Sequence, residues 1–410
     1  MAKNNLIIIG NGMASNRLLE ELGSDHPFDQ ILVLSGETSA HYNRIMLSPL
    51  LAGETTLEAI TPHDEDWYQK RRIQVHLNHW VSEIHPVEKS LHCTNGSEFF
   101  YSALVIATGS ESFIPDIPGV DADNVIGFRD LYDVDYMLEK TPTIKHATVI
   151  GAGLLGVEAA VGLKAHGVKV SLLHRNPVLM NRQLDQEASD ILTGALHQRD
   201  VQVVTQCQNI QISSNNRHAQ SISWQQAGQT VQQKTDLVVF ATGIKPTTQV
   251  AQMAGVLCDR GIQVDERMRT STDHIYSLGE CCQFEQFTYG LVAPIWEQAK
   301  VLAAELSSPD NNLAYIENQH LTKLKVSGLD MHSLGRIDAS SGDDELTYRD
   351  KESGVYKKII LDGNNLVGAL CVGDVNDSQW YFELMRQQND ISAMRQSLLF
   401  GKTFCCSDDS

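Results

Sequence analysis

Positive charge is scarce in this chain, and long apolar runs are missing. Its 410 residues include 32 Lys and Arg against 51 Asp and Glu, which gives a formal net charge of −19. A surface this acidic repels phosphate backbones and anionic lipids. No apolar run approaches the about 18 residues of a membrane-spanning helix, and the N-terminal run Leu6–Ile9 is too short for a signal peptide. These absences argue against nucleic-acid and membrane partners.

Cysteine motifs are missing as well. The eight cysteines form no C-x-x-C pair and no Cys/His cluster with zinc-finger spacing. The sequence therefore predicts no metal site and a reduced, cytoplasmic protein. Two vicinal pairs remain, Cys281-Cys282 and Cys405-Cys406. We expect Cys281 and Cys282 to be packing residues, and a redox or metal role for either pair stays open at this stage.

A glycine fingerprint that occurs twice is the most informative feature present. Its positions are Gly10, Gly12 and Ser15 after the run Leu6–Ile9, and Gly151, Gly153 and Gly156 after the run Ala147–Ile150. In such a loop the first glycine permits a tight turn, the second lets backbone amides approach a pyrophosphate, and the third allows close helix–strand packing. Two copies predict two bound dinucleotides, and therefore electron transfer between them.

The two copies of the fingerprint differ in the residues that follow the next strand. Glu37 follows the strand Ile31–Leu34 and fits a carboxylate that binds ribose hydroxyls. His174 and Arg175 follow the strand Val168–Leu173, where a cation favours the extra phosphate of NADP. The choice between NAD and NADP, and an ordinary solvated role for Arg175, stay open.

Further residues are predicted to close the two sites. Small residues at the carboxyl end of a strand let the chain pass close to a cofactor. The motif Ala-Thr-Gly provides such residues at the ends of two strands. A carboxylate after a glycine turn can bind a polyol, and an arginine can pair with a pyrophosphate. A tryptophan can lie near the flavin ring or pack in the core, and both interpretations of Trp296 stay open. These positions are Ala107, Thr108, Gly109, Ala241, Thr242, Gly243, Gly279, Glu280, Arg44 and Trp296.

Over about residues 5 to 310, these features together resemble the FAD-dependent pyridine-nucleotide oxidoreductase family. Three segments, Tyr42–Ser48, Leu179–Asp185 and Gly290–Pro294, are most similar to the flavoprotein part of NAD(P)H-dependent nitrite reductase large subunits, and next to rubredoxin reductases. Segments 322–328 and 366–369 are similar to the interface domain of that subunit.

The resemblance assigns cofactors and roles. It implies FAD at the first fingerprint and NADH at the second, with NADPH as the open alternative. It implies that Glu158, two residues after Gly156, positions the nicotinamide. The residues implied on FAD are Glu37, Arg44, Arg129 and Glu280.

The chain departs from the family in two respects. Residues 38 to 92 contain no cysteine, so we expect no thiol relay between flavin and substrate. No four-cysteine cluster motif is present, so we expect that the chain does not reduce nitrite by itself.

The resemblance predicts an α/β protein with two Rossmann-like domains of the glutathione-reductase type and a smaller α+β C-terminal domain. The expected parts are 1–112 with 241–310 for FAD, 113–240 for NAD(P)H, and 311–410 as an interface domain. The expected function is an NAD(P)H oxidoreductase that passes electrons to a separate redox protein in nitrate or nitrite assimilation. A rubredoxin or ferredoxin reductase, and a slow flavin-based redox sensor, are the alternatives. A homodimer is compatible with each of these functions.

Overall fold

The computed structural model describes residues 4–308, 310–318, 321–326 and 328–405. The chain forms two compact units, each built from separate segments. The first unit comprises Met1–Leu50, Glu54–Ser112 and Ile244–Asn318, and the second comprises Leu51–Gly53, Phe113–Gly243 and Gln319–Ser410.

A parallel five-stranded sheet forms the centre of the first unit. Its strands, in spatial order, are Ile275–Ser277, Ala103–Ile106, Asn5–Ile9, Gln30–Leu34 and Ile73–His76. Successive side chains of a strand point to opposite faces, so Leu6 and Ile8 enter one core cluster and Ile7 and Ile9 the other. Both faces are apolar, as expected for a parallel sheet that is covered on both sides.

Helices cover one face of this sheet, and an antiparallel meander contributes to the cover of the other. Helix Met13–Leu22 ends at Gly23, whose φ of 65° suits glycine. It shares a core cluster with helix Val292–Ser307. The meander consists of Val81–His85, Ser90–Cys93 and Glu98–Phe100. Ile84 and Leu91 of the meander are buried in the second cluster.

The remaining elements of the first unit are short. Its other strands are Ser110–Ser112, Ile244–Pro246, Ile262–Val264, Cys282–Phe284 and Phe287–Thr288. Its other helices are Arg44–Met46, Leu47–Leu51 (which ends in the second unit), Glu58–Ile60, Glu65–Lys70 and Gln249–Met253.

The second unit repeats the parallel sheet. Its strands, in spatial order, are Val201–Val204, Lys169–Leu173, His146–Ile150, Leu237–Phe240 and Val125–Gly127. Its helices are Leu131–Lys140, Leu154–Ala165 and Gln186–Gln198. An antiparallel meander follows, made of Gln208–Asn215, His218–Gln226 and Gln229–Lys234.

A second, antiparallel sheet of five strands belongs to the same unit. Its spatial order is Thr322–Val326, Leu329–Gly335, Asn365–Val372, Val355–Asp362 and Asp344–Asp350. The helical segments that follow are Ser378–Gln387, Ser392–Met394, Leu398–Phe400 and Lys402–Cys405. This mixture of one sheet and C-terminal helices agrees with the α+β prediction.

Asp185 ties this antiparallel sheet to the parallel half of the unit. Its carboxylate caps helix Gln186–Gln198 by accepting the Ala188 N–H at 3.0 Å. The same carboxylate accepts the Tyr356 hydroxyl at 2.7 Å and the Lys358 ammonium at 3.2 Å. Asp185 therefore links a helix start to the sheet that contains Tyr356 and Lys358.

One helix differs from its sequence-based prediction. Residues 290–294 suggest a loop that precedes a helix at Glu297, but the helix already begins at Val292. Pro294 lies in its first turn, where the missing proline N–H removes no intrahelical hydrogen bond. Among the described helices, none is long and apolar enough to cross a membrane.

Candidate functional site

The first fingerprint folds so closely over the sheet that only glycine fits at its start. Gly10 has a φ of 105° and donates its N–H to the Leu34 carbonyl at 2.8 Å. A Cβ at Gly10 would collide with the carbonyl of Ala107. The backbone of this turn therefore lies in direct contact with the backbone at the end of the neighbouring strand, which leaves no room for a side chain.

Gly12 and Ser15 have different surroundings. A Cβ at Gly12 would find Arg44 Nε as its nearest neighbour, at 3.7 Å, so the space beside Gly12 is open. Gly12 also begins helix Met13–Leu22, which no side chain of the described residues caps. Its first amides are therefore available to an anion. Ser15 is fully buried and donates its hydroxyl to the Gly10 carbonyl at 2.6 Å, which closes the turn.

Glu37 and Arg44 come together at the end of the second strand. Glu37 accepts the Tyr42 hydroxyl at 2.8 Å and also pairs with the Arg44 guanidinium. Arg44 lies 4.9 Å from the centroid of the Tyr42 ring. The structure thus places Arg44 beside the acid predicted to bind ribose, whereas the sequence suggested a pyrophosphate partner.

Gly279 and Glu280 lie beside the start of the same helix. A Cβ at Gly279 would come within 2.8 Å of Ala14 Cβ. The Gly279 N–H is held by the side-chain oxygen of Gln298, at 2.9 Å. Glu280 accepts the Ser110 hydroxyl at 2.6 Å. The predicted polyol acceptor therefore belongs to the same cradle as Gly12.

The two Ala-Thr-Gly motifs hold the segments where the chain leaves and re-enters the first unit. Thr108 donates its hydroxyl to the Thr247 carbonyl at 2.6 Å, and Thr242 donates to the Phe113 carbonyl at 2.5 Å. Each motif ends in a glycine with positive φ. Because each threonine proton is used by the backbone, a role of Thr108 in cofactor binding stays a prediction.

The second fingerprint repeats the geometry of the first. Gly151 has a φ of 104°, donates to the Leu173 carbonyl at 2.8 Å, and could not carry a Cβ because of the Ala241 carbonyl. In the described part of the chain, nothing lies within 4 Å of a Cβ position at Gly153. A Cβ at Gly156 would collide with the Gly151 carbonyl. In the first copy the equivalent carbonyl, that of Gly10, accepts the Ser15 hydroxyl.

His174 and Arg175 behave differently from each other. His174 Nδ1 accepts the Ala152 N–H at 3.1 Å, and burial lowers the pKa of the imidazole. A neutral His174 therefore braces the fingerprint loop. Arg175 is exposed at the end of the strand, as a contact to a nucleotide phosphate requires.

Three other predicted residues lie at separate places. Glu158 is half-buried in helix Leu154–Ala165. Arg129 belongs to the second unit, where its N–H is held by Asp133 at 2.7 Å, so its assignment to FAD stays a prediction. Trp296 packs against a core cluster of the first unit and lies beneath Arg17.

The vicinal cysteines 281 and 282 point into different cores. Cys281 belongs to one hydrophobic cluster and Cys282 to the other, and both are free thiols that are fully buried. Burial raises the pKa of the Cys282 thiol well above its usual value. Both environments favour packing over redox chemistry. Cys405 is a half-buried free thiol, and Cys406 lies outside the described residues.

Sequence reasoning missed three residues around the first fingerprint. His41 is buried and contacts the Asn11 carbonyl through Nδ1 at 3.1 Å, and burial lowers the pKa of His41 to about 4. The Asn11 amide is itself buried, with no hydrogen-bond partner among the residues that the structure describes. Trp80 is 62% exposed and packs on Gly36, next to Glu37. Only the exposed tryptophan had a sequence signal, a large aromatic in a polar segment.

Comparison with known proteins places this geometry in a family. Residues 4–302 match the model of the pyridine nucleotide-disulphide oxidoreductases. The chain belongs to that family. Residues 321–389 match the C-terminal domain of rubredoxin NAD+ reductase.

Individual relatives agree with the family assignment. The chain is 38% identical to a nitrite reductase [NAD(P)H] of Bacillus subtilis, over 96% of the chain and 48% of the relative. It is 35% identical to the assimilatory nitrate reductase electron transfer subunit of the same organism, over 98% of the chain and 52% of the relative. The chain therefore spans about half the length of these relatives.

A solved structure supports the fold. A ferredoxin reductase of Rhodopseudomonas palustris superimposes with a TM-score of 0.84 at 22% identity, covering 94% of this chain and 95% of that one. The predicted α/β fold with a C-terminal domain is thereby confirmed.

The family implies a flavin and a nicotinamide nucleotide, and the residues present fit both. Each cradle combines an open glycine with an uncapped helix start, which suits a pyrophosphate. Asn11 adds a buried amide that lacks a partner among the described side chains and backbone groups. The cradle with Glu37 and Glu280 offers carboxylates for hydroxyl groups, as a flavin nucleotide requires.

Two neighbouring glycines should respond differently to alanine. Gly10→Ala adds a strained φ and a collision with the Ala107 carbonyl, so we expect the free energy of unfolding of the flavin-free protein to fall by about 3 kcal/mol. Gly12→Ala should change that stability by less than about 1 kcal/mol and weaken flavin binding about tenfold. Urea unfolding and flavin titration measure the two effects. Equal losses of stability would contradict the assigned roles.

His41 should make stability depend on pH. Its pKa is lower in the folded chain, about 4, than in the unfolded chain, so the unfolded state binds the extra proton. The neutral His41 contributes up to about 3 kcal/mol to the free energy of unfolding. This contribution is complete above about pH 6.5 and is lost as the pH falls to about 4. His41→Asn retains an N–H donor but does not titrate.

The measurement is urea unfolding at several pH values between 4 and 7. We expect His41→Asn to lose this part of the pH dependence, and the exposed control His218→Asn to keep it. Parallel curves for the wild-type protein and His41→Asn would show that another group is responsible.

Proposed function

We propose that the chain is a FAD-dependent NAD(P)H oxidoreductase that delivers electrons to a separate redox protein. The observation that carries this proposal is the repeated cradle, in which Gly10 and Gly151 make the same backbone crossing in the two units. A chain with two such cradles suits a pair of dinucleotides rather than one cofactor and a small substrate.

In this proposal the first unit holds FAD. The amides at Gly12 and the helix start bind the pyrophosphate, Glu37 binds ribose hydroxyls, and Glu280 orients the ribityl chain. Arg44 stays paired with Glu37 and fixes the direction of its carboxylate. Trp80 offers an apolar surface at the adenosine end. When bound, the two cofactors supply hydride transfer from nicotinamide to flavin and one-electron release from the flavin.

The second unit holds the nicotinamide nucleotide. Gly153 leaves space for its pyrophosphate, and Glu158 positions the nicotinamide. We propose NADH as the reductant, with NADPH accepted through Arg175. No side chain of the chain needs to move a proton during hydride transfer.

A bound flavin would pass its electrons on without a thiol relay in this chain. Residues 38 to 92 lack cysteine, and the vicinal thiols 281 and 282 are buried in separate cores. An external acceptor is the remaining route. We propose a redox protein of nitrate or nitrite assimilation as that acceptor, on the basis of the two Bacillus subtilis relatives, and a cytoplasmic location.

A rubredoxin or ferredoxin reductase is the second candidate. The match of residues 321–389 to the C-terminal domain of rubredoxin NAD+ reductase favours it specifically. A redox sensor with slow turnover is the third candidate. It differs from the two reductases in the rate at which NAD(P)H would reduce the flavin.

Anaerobic stopped-flow absorbance tests the proposal. NADH should bleach the flavin of the holoprotein at a rate on the order of 10 per second or faster. The reduced protein should then reduce one-electron carriers, tested separately with rubredoxin, a ferredoxin and the assimilatory nitrate or nitrite reductase component. Bleaching over minutes would favour the sensor. Fast bleaching without transfer to any one-electron acceptor would overturn both reductase candidates.

Arg175→Ala tests the choice of nucleotide. Loss of a charge-assisted contact to the extra phosphate should lower kcat/KM for NADPH about tenfold and leave the value for NADH within about twofold. Arg199→Ala, which changes an exposed arginine at the end of helix Gln186–Gln198, is the matched control. Equal losses with both nucleotides, or none, would remove Arg175 from the phosphate site.

A further inference from the structure

A group of histidines and glutamates covers the outer face of the meander in the first unit. Glu83 and His92 face each other across two neighbouring strands, and His92 faces Glu98 on the third. His85 lies two residues after Glu83 and therefore on the same face. Ile84 and Leu91 point the other way, into the core. The strand register thus gathers Glu83, His85, His92 and Glu98 on one surface.

The distances within this group suit a metal ion. One ligand atom each from Glu83, His85 and His92 lies within 4.8 Å of the other two. Glu83 Oε2 is 3.3 Å from His85 Nε2 and 3.9 Å from His92 Nδ1. Zinc bonds of about 2.0–2.2 Å in a tetrahedron place neighbouring ligand atoms about 3.3–3.6 Å apart. Small side-chain movements would complete the geometry.

Glu98 lies where it can orient the His92 ring. Its Oε1 lies 3.2 Å from His92 Nε2, the ring nitrogen that does not face Glu83. A carboxylate that accepts the Nε2 proton leaves the lone pair on Nδ1, directed toward Glu83 and His85. Metal-binding histidines usually have such a second partner.

Ion pairing alone leaves the arrangement incomplete. An imidazole attracts a carboxylate strongly only when it is protonated. His85 Nε2 is out of contact with solvent and makes no hydrogen bond to the described residues, although Glu83 lies near it. The rings of His85 and His92 are 5.0 Å apart, which is costly if both are charged. A divalent cation would use both lone pairs and neutralise the carboxylate.

We propose that Glu83, His85 and His92 form a zinc site with Glu98 as the supporting carboxylate. Two imidazoles and a carboxylate are a ligand set that Zn²⁺ prefers, with water in the fourth position. The ion would join strand Val81–His85 to strand Ser90–Cys93 and stabilise the meander. A sequence search based on cysteine spacing does not detect this set, because strand pairing rather than spacing creates it.

Zinc titration of the metal-stripped flavoprotein, in competition with a chromophoric chelator, tests the proposal. We expect one Zn²⁺ per chain. His85→Ala and His92→Ala should each weaken binding at least about tenfold, and Glu98→Gln about tenfold with the stoichiometry retained. His218→Ala, an exposed histidine of the second unit, should bind zinc as the wild-type protein does.

Co²⁺ provides an independent readout. Tetrahedral Co²⁺ should give visible absorption in the wild-type protein that disappears in the His85→Ala/His92→Ala double variant. Because these side chains are partly exposed, all variants should retain flavin and the wild-type Tm without metal. Superimposable zinc titrations of the wild-type protein and the double variant, or zinc that raises the Tm of both equally, would overturn the proposal.

Discussion

Two backbone crossings, Gly10 over the Ala107 carbonyl and Gly151 over the Ala241 carbonyl, determine the rest of the architecture. Each requires a turn with positive φ and no side chain, at the carboxyl end of a central strand. The following helix then starts at the sheet edge, and no side chain among the described residues caps it. The position of the helix start and the open space beside it therefore depend on one contact, and the chain makes this contact once in each unit.

Given identical crossings, the two cradles differ through the residues at their rims. The first has Glu37, held by Tyr42 and Arg44, and Glu280, held by Ser110. The second has a neutral imidazole at His174 and an exposed guanidinium at Arg175. Carboxylates accept hydrogen bonds from hydroxyl groups, and a guanidinium donates them to phosphates. Charge at the rim, rather than the glycine turn, therefore distinguishes the two cradles.

Local patterns were predictable from the sequence, and contacts between distant segments were not. The periodic run after Gly12 and the stop at Gly23 define helix Met13–Leu22, because both act within a few residues. The pairing of Arg44 with Glu37 is harder to predict from the sequence than this helix, because it depends on how the segment after Glu37 folds back. The buried His41 under the Asn11 loop and the Trp80 ring on Gly36 come from separate segments, so no spacing rule connects them.

The segment Leu179–Asp185 shows how a family motif can be structural rather than catalytic. Asp185 is mostly buried and satisfies a helix start, a tyrosine hydroxyl and an ammonium group together. Removing Asp185 would leave the helix start and the Tyr356 hydroxyl without this acceptor, and Lys358 with Glu345 as its carboxylate partner at 3.2 Å. Tyr356 and Lys358, the two sheet residues that contact Asp185, both lie within residues 321–389, which match the C-terminal domain of rubredoxin NAD+ reductase.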